Sequence, residues 1–358
     1  MNVGVVVGTR PEIIKMSPVI RELERKNLDY HIIHTGQHYD DEVSGVFFRE
    51  LDLPEPDEYL DVGSGSQAEQ TGNALIKLEK AFDDLNTDIV LVEGDTNTVL
   101  AGALAGIKMG LTIGHIEAGL RSYDYRMPEE YNRRLTDHCS NLLFAPTEKN
   151  KKILENEDVW GDIFVTGNTV IDACLQNMSI AEEKAEFSFK VPDDFVLLTA
   201  HRAENVDDPD VQKNYIKAFR EISYPIIYPI HPRAKKMFKR FGNLEKLEEI
   251  DGMKLVEPQG YLEFLLLMKR CKFILTDSGG IQEEATAPNI KKKVFVLRES
   301  TERPEAVDQG YAELVGTDEE KIVRAIRWFG REQWNPGGCP YGDGDAAEKI
   351  VEVLKDLD

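Results

Sequence analysis

Short runs rich in Val, Ile and Leu recur along this chain, and between them apolar residues return every three or four positions. The first series is Val3–Val7, Tyr30–His34, Ile89–Val92, Thr112–Ile116, Leu142–Ala145 and Ile163–Val165. The second is Phe195–Thr199, Ile226–Ile230, Lys254–Val256, Phe273–Leu275, Val294–Leu297 and Glu313–Val315. Uninterrupted apolar runs mean strands buried on both faces, and the helical stretches supply crossovers between parallel neighbours. The pattern predicts an α/β chain of two doubly wound, Rossmann-like parallel sheets facing a cleft. The polar segment Glu182–Asp194 reads as the linker between a domain over 1–180 and one over 195–340.

Composition narrows the class. With 358 residues the chain exceeds one ordinary core. Its net charge of −22 argues against a nucleic-acid or membrane partner, since both reward a basic face. An anionic ligand must then be held by a local basic cluster. Cys139, Cys174, Cys271 and Cys339 lie far apart without a CxxC pair, so neither zinc nor a disulfide framework is signalled. No apolar run approaches about eighteen residues and no leader pattern opens the chain, so a cytoplasmic protein is expected.

Two strand-to-helix turns carry the clearest chemistry. Phe273-Ile274-Leu275 ends in Thr276-Asp277-Ser278-Gly279-Gly280, where glycines admit close backbone approach and a helix start offers unpaired N–H groups to a diphosphate. Glu284 follows about one helical turn past Gly280, within reach of ribose hydroxyls. The bland alternative is an ordinary capped turn. At the other turn, Gly8-Thr9-Arg10-Pro11 opens a helix, and Arg10 and Lys15 both reach an anion there unless Lys15 is solvated surface.

Further polar motifs fall at strand ends: Glu93-Gly94-Asp95-Thr96, His115-Ile116-Glu117-Ala118-Gly119-Leu120-Arg121, Pro128-Glu129-Glu130, Ala200-His201-Arg202 and Thr301-Glu302-Arg303-Pro304. Each has a structural alternative: Asp95 as a helix cap, Glu129 as a favourable first-turn charge, His201 as a hydrogen-bonded strand-end histidine. Together, at the ends of strands where such sheets bind ligands, they point to an enzyme.

The ordered set GTRPE, TGQH, GDT, HIEAGLR, PEEYNRR, TGNTVID, AHR, YPIHP, PQGY, DSGGIQEE, TERPEA and PYGDG resembles the non-hydrolysing UDP-N-acetylglucosamine 2-epimerase family over nearly the whole chain. The resemblance implies the fold of two-domain (GT-B) glycosyltransferases, with a closing helix Ala346–Leu357 in 341–358 crossing back to the first domain. It implies interconversion of UDP-GlcNAc and UDP-ManNAc with no cofactor and no metal, in a homodimer. Arg10, Lys15, Gln259, Phe264, Ser278, Gly279, Gly280, Glu284 and Arg303 match positions that hold UDP. Asp95, Glu117, Glu129 and His201 match positions implicated in chemistry. Gln37, His38 and His231 match an activator site for a second UDP-GlcNAc. Tyr39 and Asn73 stand where bacterial members carry arginines, and AHR replaces GHR, which puts substrate activation in question.

Several carboxylates suit the route the family implies. C2–H of a hexose is not acidic until UDP begins to leave C1, so acid/base groups on both faces are needed with ionisation near neutrality. Asp95 and Glu117 are assigned as that pair, Glu129 assists, and His201 serves the leaving phosphate. A closed cleft then retains UDP, with closure hinged at Glu182–Asp194. Three other classes remain: a glycosyltransferase, for which no acceptor groove is marked; a hydrolysing epimerase, which releases free sugar; and a UDP-sugar sensor, which has no need of three acids.

Overall fold

Val3, Val5, Val6, Val7, Leu91 and Val92 are fully buried. Strands with no wet face need cover on both sides, and crossover helices supply it. The computed structural model describes residues 1–36, 41–329 and 334–357. Among these, one sheet contains β1 (Asn2–Val7), β2 (Asp29–His34), β3 (Glu58–Tyr59), β4 (Ile89–Glu93), β5 (Thr112–Ile116), β6 (Leu142–Ala145) and β7 (Asp162–Val165). The other contains β8 (Val196–Thr199), β9 (Ile226–Pro229), β10 (Met253–Val256), β11 (Ile274–Thr276), β12 (Val294–Val296) and β13 (Ala312–Leu314).

All strand pairings are parallel, in the orders β3-β2-β1-β4-β5-β6-β7 and β10-β9-β8-β11-β12-β13. Both sheets are doubly wound, as the alternation predicts. In each, the winding reverses beside the first strand: β1 lies between β2 and β4, and β8 between β9 and β11. The crevice at such a reversal, beyond the carboxyl ends of the strands, is where these sheets bind ligands. Gly8 follows β1 because a Cβ there would collide with the hydroxyls of Thr35 and Thr98, which bond each other at 2.8 Å.

The chain forms two compact units, residues 1–173 with 341–358, and residues 174–340. The change of unit falls inside the helix Thr169–Lys184. Within the first unit the closing helix, Ala346–Lys355, buries Ala346, Ala347, Ile350, Val351 and Leu354. Its amino end is held by Asp172, whose carboxylate accepts from Ala346 N at 3.3 Å and Ala347 N at 2.9 Å. The core of the second unit centres on Phe273, Phe295 and Phe329, packed edge to face at 5.4–5.8 Å between ring centroids. Among the described residues no helix is long and apolar enough to cross a membrane.

Candidate active site

Beyond β1, Gly8 and Thr9 lead into the helix Arg10–Arg25. Glu12 closes its start: Oε2 accepts from Gly8 N at 2.6 Å and Thr9 N at 3.2 Å. Glu12 is 2% exposed, and burial pushes its carboxyl up to about 7 against the hydrogen bonds from Thr96, Gly8 and Thr9. The Arg10 guanidinium lies over the Phe47 ring, 4.5 Å from its centroid. Lys15 is not solvated surface. Its Nζ lies 2.9 Å from Glu93 Oε1 at the end of β4 and 2.7 Å from Glu117 Oε1 just past β5.

Both carboxylates are buried. Asn168 Nδ2 donates to Glu117 Oε1 at 2.8 Å, so Glu117 is fixed from two sides. Its backbone φ of 69° is in the left-handed region, a conformation that a long side chain adopts only when its surroundings impose it. Burial pushes the Glu93 carboxyl well above the usual range, with Glu117 and Glu12 adding and Lys15 opposing.

Asp95 stands on the neighbouring strand end, after Gly94, whose φ is 88°. It is ion-paired with Nη2 of Arg133, whose Nη1 lies 3.0 Å from Glu130 Oε2. Thr96, not Asp95, caps the helix Asn97–Met109, its Oγ1 accepting from Val99 N at 3.4 Å. That displaces the reading of Asp95 as a cap. His115 of β5 bridges the helix Pro128–Cys139 and the turn after β4: Nδ1 contacts Asp137 Oδ1 at 2.7 Å and Nε2 contacts Gly94 O at 2.8 Å. The side chain of Glu129, partly buried in the first turn of the helix Pro128–Cys139, makes no hydrogen bond or ion pair among the described residues.

The second unit builds its crevice around Asp277. This fully buried carboxylate accepts through Oδ2 from His201 N at 2.9 Å, Arg202 N at 2.9 Å and Asn205 Nδ2 at 3.0 Å. It therefore fastens the turn after β8 to the turn after β11. The His201 imidazole stays 42% exposed, its Nδ1 3.5 Å from Asp277 Oδ1. Its ring centre is 5.6 Å from that of His231, which caps the helix Pro232–Arg240. Burial, with His201 and Arg233, lowers the His231 ionisation below its ordinary value.

Ser278 precedes the helix Gly279–Glu284, and a Cβ at Gly280 would meet only open space, so ligand can approach the backbone there. The Arg303 side chain is ion-paired through Nε at 2.6 Å from the buried Glu283 Oε1, and its backbone N–H donates to Thr301 Oγ1 at 3.0 Å. Gln259 Nε2 donates to Glu257 O at 2.7 Å, and Phe264 is partly buried on the helix Tyr261–Arg270. Glu284 closes its short helix, partly buried.

The first unit thus brings Lys15 and Glu117 into contact and sets Asp95 on the adjoining strand end. The second joins His201 to the Ser278–Gly280 turn. Gln37 and His38 lie outside the described residues. Sequence reasoning misses the roles of Glu12, Glu93, Asn168 and Asp277. Glu12 carries a readable signal, because Thr9-x-x-Glu12 is a capping-box pattern; Glu93 carries one as the lone charge closing an apolar strand.

The family model described as UDP-N-acetylglucosamine 2-epimerase matches residues 21–355 of this chain. The chain belongs to that family. By that membership it is an isomerase. It is 49% identical to the UDP-N-acetylglucosamine 2-epimerase of Methanocaldococcus jannaschii, over 99% of each chain. The crystal structure of the enzyme from that organism in complex with UDP-GlcNAc and UDP matches with a TM-score of 0.89 at 49% identity, covering 99% of this chain and 100% of that one. The UDP-2,3-diacetamido-2,3-dideoxy-D-glucuronate 2-epimerase of Pseudomonas aeruginosa is 38% identical over 100% of both chains.

Proposed function

We propose that this protein inverts C2 of UDP-GlcNAc, interconverting it with UDP-ManNAc through a 2-acetamidoglucal. The observation that carries this reading is the pair of positioned acids on neighbouring strand ends. Glu117 is held by Lys15 and Asn168, and Asp95 is held by Arg133. In the forward half, the C1–O bond breaks with its electron pair leaving on UDP, a carboxylate takes the C2 proton, and C1=C2 forms. In the return half, UDP adds to C1 while a proton arrives on the opposite face of C2. Asp95 and Glu117 are the acid/base pair, with Glu129 assisting. His201, exposed beside the Ser278–Gly280 turn, stabilises or protonates the departing phosphate. By the family resemblance Arg10, Lys15, Gln259, Phe264, Ser278, Gly279, Gly280, Glu284 and Arg303 hold UDP, and Gln37, His38 and His231 are the candidate residues for an activating second UDP-GlcNAc, should substrate activation operate in this chain. The exchange of a proton and a diphosphate is redox-neutral, so the scheme needs no electron acceptor, and the absence of a metal is taken from the family resemblance. A cytoplasmic homodimer is the working assembly.

Incubation with UDP-GlcNAc in heavy water, followed by NMR, should give UDP-ManNAc carrying one deuterium at C2. Asp95→Asn and Glu117→Gln should keep UDP-GlcNAc affinity while C2 exchange falls about 10²-fold or more. Free ManNAc as the main product would move the protein to the hydrolysing class, and unchanged substrate would favour a sensor. Faster turnover of UDP-2,3-diacetamido-2,3-dideoxy-D-glucuronate would reassign the substrate.

A further inference from the structure

His115 lies on β5, one residue from its end, and is fully buried. Both of its ring nitrogens face acceptors. Nδ1 is 2.7 Å from Asp137 Oδ1, and Nε2 is 2.8 Å from the carbonyl oxygen of Gly94. A neutral imidazole carries a single N–H, so one of these contacts would then set a ring lone pair against an oxygen lone pair with no hydrogen between them. An imidazolium serves both acceptors at once.

The alternative places the hydrogen on Asp137, donated to a bare Nδ1. Asp137 acts as an acceptor in its other contacts: Oδ2 takes Arg121 Nη2 at 2.7 Å and Gly119 N at 3.3 Å. The hydrogen between Asp137 and the ring therefore belongs to Nδ1. Charges in this network then alternate, with His115 and Arg121 against Asp137 and Glu157. Arg121 Nη2 lies 2.7 Å from Glu157 Oε2, and the more exposed Arg134 meets Glu157 Oε1 at 2.7 Å.

The Gly94 carbonyl shares one rigid peptide plane with the Asp95 nitrogen, so a donor on that oxygen fixes the plane from which Asp95 departs. Gly94 needs such an anchor. Its φ of 88° is in the left-handed region, from which a glycine passes to other conformations at little cost. β5 grips it twice, because Gly94 N donates to Ile116 O at 3.1 Å while His115 holds the carbonyl. On the far side, Asn132 Nδ2 donates to Asp95 O at 3.0 Å. A cationic donor makes the His115 bond about twice as strong as a neutral one.

We propose that His115, bearing hydrogen on both ring nitrogens, is a positioning residue for Asp95: braced by Asp137, it locks the Gly94–Asp95 peptide plane and so fixes where the Asp95 carboxylate stands. This rests on the reading of Asp95 as an acid/base group. His115 reaches the reaction through Gly94, so its loss should appear in kcat and spare affinity.

Two substitutions separate the functions of the two nitrogens. His115→Asn sets an amide nitrogen in the place of Nδ1, which keeps a donor for Asp137 and removes the one for Gly94. His115→Gln sets it in the place of Nε2 and does the reverse. In His115→Asn, kcat for C2 exchange should fall about 10- to 10²-fold with the Kd for UDP-GlcNAc unchanged, and His115→Gln should regain most of that loss. Equal losses in the two variants, a more active His115→Asn, or a loss confined to affinity would overturn the proposal. Neutron diffraction from perdeuterated wild-type crystals near neutral pH supplies the second readout. Deuterium on both Nδ1 and Nε2 of His115 is expected, and a bare ring nitrogen would overturn the assignment. If neither variant folds, the neutron result alone decides. It needs no turnover, so it separates failure here from failure of the epimerase reading.

Discussion

Glu12 satisfies two backbone N–H groups yet sits where its charge is poorly solvated, and the two effects oppose each other. Burial wins, since the carboxyl is raised from 4.5 to about 7. A group whose folded-state ionisation is raised contributes stability that is fully present below its unfolded value and is lost as pH climbs through the folded one. For Glu12 the window runs from pH 4.5 to about 7, and the shift corresponds to about 3 kcal/mol. Glu12→Gln retains an oxygen for Gly8 and Thr9 but does not titrate. Urea denaturation between pH 4.5 and about 8 should therefore show wild type losing about 3 kcal/mol more than the variant. Parallel curves for the two proteins would mean that the Glu12 side chain reaches water or a counter-charge when it ionises.

At the scale of elements, the strands are legible because a parallel sheet demands apolar residues on both faces, leaving runs such as Ile89–Val92 that no amphipathic helix produces. The edge strand β3 is not legible, since two residues show no periodicity. The site is legible in its motifs and illegible in its pairings. Gly8-Thr9-Arg10-Pro11 and Asp277-Ser278-Gly279-Gly280 announce helix starts, but the contact of Lys15 with Glu93 joins residues 78 positions apart. Nor does local sequence disclose the left-handed backbone at Glu117. The closing helix depends on such a distant pairing too, because Asp172 supplies its cap from 174 and 175 positions upstream. Asp172→Ala should cost about 1–2 kcal/mol by leaving two helix-start N–H groups without their acceptor. Amide exchange should quicken over Ala346–Lys355, whereas β1 and β4 keep their protection. Unchanged exchange in that helix would show that its apolar face alone holds it.

At the scale of the whole molecule, 65 Asp and Glu oppose 43 Lys and Arg, and the excess of negative charge sets a salt response that two effects contest. Ion pairs on the surface, such as Arg49–Glu55 and Lys235–Glu257, are weakened by salt, but exposed pairs contribute only about 0–1 kcal/mol each. Self-repulsion of a net charge of −22 acts over longer distances and is screened as the Debye length shrinks from about 30 Å at 0.01 M to about 8 Å at 0.15 M. Repulsion should prevail. Thermal unfolding near neutral pH should then move to higher temperature as potassium chloride rises over that range. Close to the isoelectric point of about 4.8 the net charge vanishes and the same titration should leave Tm nearly constant or lower it. Calorimetry at both pH values distinguishes the two effects: a Tm that falls with salt near neutrality would mean that paired charges, not the excess, dominate the electrostatics of this fold.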